Sequence, residues 1–280
     1  MSEAGVTDEL IELRGLRFHF RDWPCPSEDA PALVMLHGYT GHARSWDRFA
    51  EALSARFRVL ALDQRGHGES DWAPPDAYGT LEMVADLEAF VAALGLTRFT
   101  LLGLSMGGQV AMHYAGSQPE QLARLVIVDI GPELIASGMN RIRENQSNRD
   151  VFDTVEEAFA QARAVNPRPP EAHHFARVRA SLMRTADGRW TYRFDRALRD
   201  PANPRARPST AENWAAVSRI AVPTLVLRGD ASDILHPDVA ARMVKSIGDC
   251  RLVEIPDCGH PIPLDQPDRF LAAVTAFLHP

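Results

Sequence analysis

The run Arg98-Phe99-Thr100-Leu101-Leu102 passes through Gly103-Leu104-Ser105-Met106-Gly107 into Gly108-Gln109-Val110-Ala111-Met112. A short apolar strand is thereby coupled to a helix by a turn with glycine two residues either side of a serine. Such a turn holds the serine in a sharp, strained backbone with its hydroxyl exposed above a sheet. A Cβ at either glycine would crowd the turn. The helix that starts just after Ser105 adds free N–H groups and a positive dipole end, which favour an anion there. The turn therefore demands a sheet whose strands end on one edge and marks Ser105 as a nucleophile.

Other apolar runs supply that sheet: Leu33–Leu36, Phe57–Leu62, Leu125–Val128, Thr224–Leu227 and Arg251–Ile255. Most are near-continuous rather than alternating, as expected of parallel strands covered on both faces. Amphipathic segments separate them. Leu81–Leu94 is the clearest, with Thr80 placed to cap its start and Gly95 to end it. The βαβα rhythm predicts an α/β fold, a mostly parallel central sheet flanked by helices. Leu10–Leu13 and Leu16–Phe20, joined by Arg14-Gly15, predict an antiparallel hairpin at its edge.

The rhythm stops between about Pro132 and Ala215, where helical patterns and loop signals occur without a buried parallel strand. Thr154–Glu157 and Ser209–Glu212 fit capping boxes, and Glu171–Met183 reads as a helix after a proline-rich break. The organisation expected is a core domain of residues 1–131 and 216–280, with a helical cap, placed as a lid, inserted at 132–215. That stretch holds 14 arginines and 11 acidic residues, whereas the whole 280-residue chain carries a net charge of −7. The negative balance argues against nucleic acid or an anionic membrane surface as partner. No run approaches the length of a bilayer span, and the acidic N-terminus does not resemble a signal peptide. Cys25, Cys250 and Cys258 show no CxxC spacing and read as free thiols. A cytoplasmic location follows as the expectation; the oligomeric state, monomer or homodimer, is not specified.

A serine hydroxyl attacks a carbonyl only when a base takes its proton and a third group orients that base. His260, in the loop after the last apolar run, is the candidate base. The orienting acid should lie between serine and histidine. Asp233 follows the Thr224–Leu227 run by a short loop and is favoured over Asp230, which suits a turn, and Asp129, which ends an earlier run. The oxyanion donors expected are the backbone N–H groups of Met106 and of Tyr39, in the loop after Leu33–Leu36. His37, Gly38 and Trp46 are candidates for the pocket wall, with His37 read as a buried histidine bonded to the loop backbone rather than as a base. His173-His174 lacks the flanking ligands of a metal site, and no motif for a cofactor is present.

Together these residues closely resemble the α/β-hydrolase superfamily over essentially the whole chain. His37-Gly38-Tyr39 resembles its oxyanion loop, Gly103–Gly108 its nucleophile elbow, and Asp63-Gln64-Arg65-Gly66-His67-Gly68-Glu69-Ser70 its D-x-R-G-x-G-x-S segment. Asp233, four residues before Pro237, and Gly259-His260 with Gln266–Phe270 resemble its late acid and histidine regions, although Asp233 stands one residue further from Gly229 than in some members. The resemblance implies structural roles for Asp63, Arg65 and His67. It also implies an α/β-hydrolase fold with a helical cap, and cleavage of a small carboxylic ester through Ser105, His260 and Asp233 by way of an acyl-enzyme. Serine at the elbow argues against epoxide hydrolysis and dehalogenation. Hydrolysis of a C–C, lactone or amide bond is the alternative, and a ligand-binding protein on the same scaffold is a third reading. A substrate carboxylate met by a cap arginine is a sharper idea, but solvated helix faces explain the same arginine content and are the preferred reading.

Overall fold

The computed structural model describes residues 5–27, 29–138, 140, 144, 149–200, 203 and 206–278. Eight strands form the main sheet: β1 (Thr7–Leu13), β2 (Leu16–Trp23), β3 (Ala32–Leu36), β4 (Arg58–Leu62), β5 (Phe99–Leu104), β6 (Leu122–Val128), β10 (Thr224–Gly229) and β11 (Cys250–Ile255). Their order is β1-β2-β4-β3-β5-β6-β10-β11. β1 and β2 form the expected antiparallel hairpin, β2 runs antiparallel to β4, and every later pairing is parallel. Positive φ at Arg14 (51°) and Gly15 (78°) makes the tight hairpin turn. The α/β-hydrolase architecture expected from the sequence is thus the one observed.

Side-chain alternation along the parallel strands builds two cores. Val34 and Leu36 of β3 and Leu125 and Ile127 of β6 face the helices α2 (Thr80–Ala93) and α3 (Met106–Gly116), where they meet Leu87, Phe90, Val110 and Tyr114. Leu33, Met35, Val126 and Val128 face the other way, toward Phe49 of α1 (Asp47–Leu53) and Phe270 and Val274 of the last helix, Pro267–Leu278. Burial on both faces is what made these strands read as continuous apolar runs. α2 starts one residue earlier than its periodicity suggested. Gly79, not Thr80, is its N-cap and makes no side-chain cap, while Gly95 leaves it at φ +61°.

The segment between β6 and β10 carries more than helices. Val155–Val165 and Glu171–Ala180 pack on a three-stranded antiparallel sheet of β7 (Val151–Phe152), β8 (Leu182–Arg184) and β9 (Trp190–Tyr192), ordered β7-β9-β8. The helix expected over Glu171–Met183 stops at Ala180 because Leu182 and Met183 enter β8. These strands are two or three residues long, too short for a period-2 pattern to register. Phe152, Val155, Ala158, Val178 and Leu182 form a core of their own. The helix Thr210–Val217, with its Ser209–Glu212 capping box complete, packs on α3 of the main unit instead, Ala216 lying against Gly116.

The D-x-R-G-x-G-x-S segment after β4 ties these parts together. Asp63 Oδ2 accepts from His19 Nδ1 (2.7 Å) and from the Glu69 N–H (3.0 Å), and its Oδ1 accepts from the Ala43 N–H (2.5 Å). Burial pushes the Asp63 carboxyl up, but the bond from His19, the charge that His37 carries in the acid range and the two N–H groups outweigh it, so its pKa is lowered. Arg65 bridges the loop to α2 through two bonds to Asp86 (2.5 and 2.6 Å), both side chains nearly fully buried. The same loop holds the insertion, with Gly68 N–H donating to Arg193 O and Asp195 N–H to Gly66 O, both at 2.8 Å. Asp86→Ala would leave a buried guanidinium without its acid, and is expected to lower stability by about 3–5 kcal/mol. A denaturant-midpoint comparison measures this; a loss under about 1 kcal/mol would show that Arg65 finds a substitute, Glu82 being nearest.

Candidate active site

β5 delivers Ser105 at the carboxyl edge of the sheet in a conformation that serine rarely adopts, φ 52° and ψ −114°. Its N–H donates to Val128 O (3.0 Å) and its carbonyl accepts from the Gln109 N–H (2.9 Å), so strand and helix both hold the turn. The flanking glycines are required by contact. A Cβ on Gly103 would lie 2.2 Å from Gly107 O, and one on Gly107 would lie 2.6 Å from Leu36 O.

His260 leaves β11 in a short loop that brings its Nε2 to 2.9 Å from Ser105 Oγ. Its Nδ1 lies 2.8 Å from Asp129 Oδ2. With the carboxylate as acceptor, Nδ1 carries the proton and Nε2 is left to accept from the serine hydroxyl. The expectation that Asp233 orients the histidine is therefore corrected: Asp129, the residue that follows β6, takes that place. Asp129 is fully buried with φ 50°, and its carboxylate also accepts from the Gly229 N–H (3.0 Å) and Ser232 Oγ (2.5 Å). Ser232 in turn accepts from the Ile234 and Leu235 N–H groups (3.1 and 3.2 Å), which shapes the loop where Asp233 stands half-buried. Asp230 is a turn residue, as read from the sequence. Its carboxylate is held below the ordinary range by the Cys258 and Asp257 N–H groups.

The oxyanion loop approaches closely. A Cβ on Gly38 would lie 3.3 Å from Ser105 Cβ, and Tyr39 and Met106 share the wall of a cavity with Ser105. His37 is buried with both ring nitrogens occupied, Nδ1 donating to Gly38 O (2.8 Å) and Nε2 accepting from the Gln64 N–H (3.0 Å). Burial pushes its pKa down to about 4, against the pull of Asp63, so it is neutral near pH 7. Trp46 is buried against Phe270 and Phe49, with ring centroids 6.1 Å from each. His173 and His174 face different surroundings, the first beside Phe49 and the second against Phe159.

Two cavities flank the Ser105–His260 pair. The first, about 600 Å³, is lined by Ser105 with Tyr78, Met83, Ile130 and Ile234 from the main unit and Leu134 and Arg207 from the insertion. The second, about 410 Å³, is lined by Gly38, Trp46, Leu104, Pro261 and, from the insertion, His173 and Arg177. Its wall thus includes the residue before the serine and the residue after the histidine.

A family model described as alpha/beta hydrolase fold matches residues 31–267. The chain belongs to the α/β-hydrolase family. The hydrolase is 30% identical over 266 residues to the 3-hydroxybutyrate-oligomer hydrolase of Cupriavidus necator, covering 90% of each chain. It is 29% identical to the N-formylmaleamate deformylase of Pseudomonas putida, covering 96% of each. Its structure is similar to that of an alpha/beta hydrolase from Novosphingobium aromaticivorans, with a TM-score of 0.87, 31% identity and 98% of both chains covered. Membership of this family, with these hydrolase relatives, supports a hydrolase activity.

The two acids give opposite spectroscopic expectations. Asp129→Asn should abolish the low-field proton resonance of a histidine Nδ1–H bonded to a carboxylate, whereas Asp233→Asn should retain it. Loss in the Asp233 variant alone would return the orienting role to that residue.

Proposed function

We propose that the hydrolase cleaves a small carboxylic ester through an acyl-enzyme, with Ser105 as nucleophile, His260 as base and Asp129 as orienting acid. The observation that carries this reading is the unbroken chain Ser105 Oγ–His260 Nε2, Nδ1–Asp129 Oδ2 at 2.9 and 2.8 Å. Ser105 lies in the wall of a cavity that it shares with Tyr39 and Met106, so a bound carbonyl can reach both the nucleophile and the oxyanion donors. As Oγ attacks the carbonyl carbon, its proton passes to Nε2, and Asp129 stabilises the imidazolium. The Met106 and Tyr39 N–H groups receive the oxyanion, helped by the helix N-terminus that begins at Met106. Collapse of the tetrahedral intermediate expels the alcohol, which takes the proton from Nε2. A water, deprotonated by the same nitrogen, then adds to the acyl carbonyl and releases the acid.

The insertion serves as the lid in this reading. Leu134 and Arg207 wall the first cavity, and Tyr39 Oη donates to Leu198 O (2.7 Å), so movement of the insertion would be felt at the oxyanion loop. The deformylase relative favours a second reading, an amide bond cleaved by the same residues with an amine as leaving group.

Ser105→Ala is expected to abolish labelling by a fluorophosphonate and to lower kcat on a p-nitrophenyl ester by roughly 10⁴-fold or more, and Asp129→Asn to lower it by roughly 10⁴-fold. Unchanged turnover in the Ser105 variant would refute the mechanism. A panel of esters, lactones and amides compared by kcat/KM separates ester from amide cleavage.

A further inference from the structure

The second cavity has a buried cation in its wall, and two buried N–H donors close by, on His42 and Trp46, have no hydrogen-bond partner among the described residues. Arg177, on the insertion helix Glu171–Ala180, reaches into it, and its guanidinium makes one hydrogen bond, to Nε2 of His42 (3.2 Å). No carboxylate pairs with it among the described residues; Asp47 and Asp63, whose charges it feels, are engaged by Arg21 and by His19 respectively. Burial pulls the Arg177 pKa down to about 10, against those two charges. His42 is buried and its pKa is held well below the ordinary value by burial and by Arg177, so it is neutral. Since its Nε2 accepts from Arg177, its proton sits on Nδ1, which has no hydrogen-bond partner among the described residues. Trp46, 1% exposed and part of the cavity wall, likewise has an indole N–H without a hydrogen-bond partner among the described residues.

Among the described residues, two buried acceptors near this space lack a hydrogen-bond partner, Asp47 Oδ1, which is ion-paired with Arg21, and Gln64 Oε1, and neither residue lines the cavity. Both His37 nitrogens are committed to the backbone, and the Ser45 hydroxyl donates to His42 O. Buried polar groups are almost always satisfied, so a buried cation in a cavity wall with unpartnered donors beside it signals an absent acceptor. A guanidinium beside neutral N–H donors suits a planar anion with two oxygens. Arg207, in the first cavity, is exposed. Arg141, Arg143 and Arg205 lie outside the described residues.

The geometry points to a carboxylate-binding subsite at Arg177, with Trp46 beside it, so that the substrate is an acyl compound carrying a carboxylate a few bonds from the scissile carbonyl. The carboxylate occupies the cavity walled by Gly38, Leu104 and Pro261, and the apolar remainder lies in the cavity on the other side of Ser105. This inference rests on the reading of Ser105 as nucleophile, but the anion site can be tested without turnover.

Two p-nitrophenyl esters of glutaric acid, one with the distal carboxylate free and one with it methylated, are compared by kcat/KM. The wild-type protein should prefer the free acid by roughly 10- to 100-fold, the worth of a charge-assisted hydrogen bond. Arg177→Met should bring the ratio toward one, and Arg177→Lys should restore part of it. A ratio near one in the wild type, or a ratio that Arg177→Met leaves intact, overturns the proposal. In parallel, glutarate is titrated calorimetrically into the Ser105→Ala variant and into the same variant carrying Arg177→Met, with thermal melts to establish folding. Glutarate held by the first and lost from the second supports the subsite even if neither ester is cleaved, in which case the ester reading alone fails. Ester cleavage with no discrimination and no glutarate binding overturns the subsite and leaves the ester reading standing.

Discussion

The Asp129 carboxylate takes hydrogen bonds from two segments distant from it in sequence: the end of β10 and the loop beyond it, through the Gly229 N–H and Ser232, and the loop after β11, through His260. Its own N–H donates to Leu227 O (2.8 Å), which locks the end of β6 to β10. A fully buried carboxylate is tolerated only when donors surround it, and here the satisfying donors are also those that shape the site. Removing the acid would therefore loosen the β10 loop as well as release the histidine. Positioning and stability are coupled through one side chain, so a loss of activity at this position needs the spectroscopic readout to be interpreted.

Strand order explains why this can work. β5, β6, β10 and β11 are neighbours in that order, so Ser105, Asp129, Ser232 and His260 leave adjacent carboxyl ends and meet on one edge. The Ser105 turn adds strain of order 1–3 kcal/mol. Contacts on both sides hold it, since the space beside Gly103 and Gly107 is filled by backbone. The edge of the sheet thus supplies rigid positions, and the segment between β6 and β10 adds Leu134 and Arg207 to one cavity wall and His173 and Arg177 to the other.

Much of this was legible in the sequence because the determining features are local. The Gly-x-Ser-x-Gly turn, the buried strands, the Arg14-Gly15 hairpin and the His260 loop each announce themselves within a dozen residues. Asp129 was less so. It and Asp233 both follow apolar strands, and residue order alone does not distinguish them. The discriminating feature is Ser232, which fills the loop position facing Asp129 and supplies a hydroxyl donor to it. A one-residue lengthening after Gly229 was the visible trace of that arrangement. β7, β8 and β9 were missed for a different reason, since strands of two or three residues are defined by their partners rather than by any pattern of their own. The orphan donors around Arg177 were invisible for the same reason, because whether a buried group is satisfied depends on which distant residues surround it.

Net charge gives a misleading picture of the ligand. With a balance of −7 the chain as a whole repels an anion. Beyond a screening length of about 8 Å at physiological ionic strength, however, that balance has little influence on a ligand entering a cavity. What an anion meets inside is local: Arg177, with His37 and His42 both neutral and the nearest acids already engaged. At an effective dielectric constant near 20, two unit charges about 4 Å apart attract by about 4 kcal/mol, offset by the desolvation of the entering anion. Part of that opposing cost is already met, because the guanidinium is desolvated in the folded chain, as its depressed pKa shows. A cation kept in this state without an acid is unfavourable for folding, and the same feature makes the cavity selective: only a ligand that brings the missing charge relieves it.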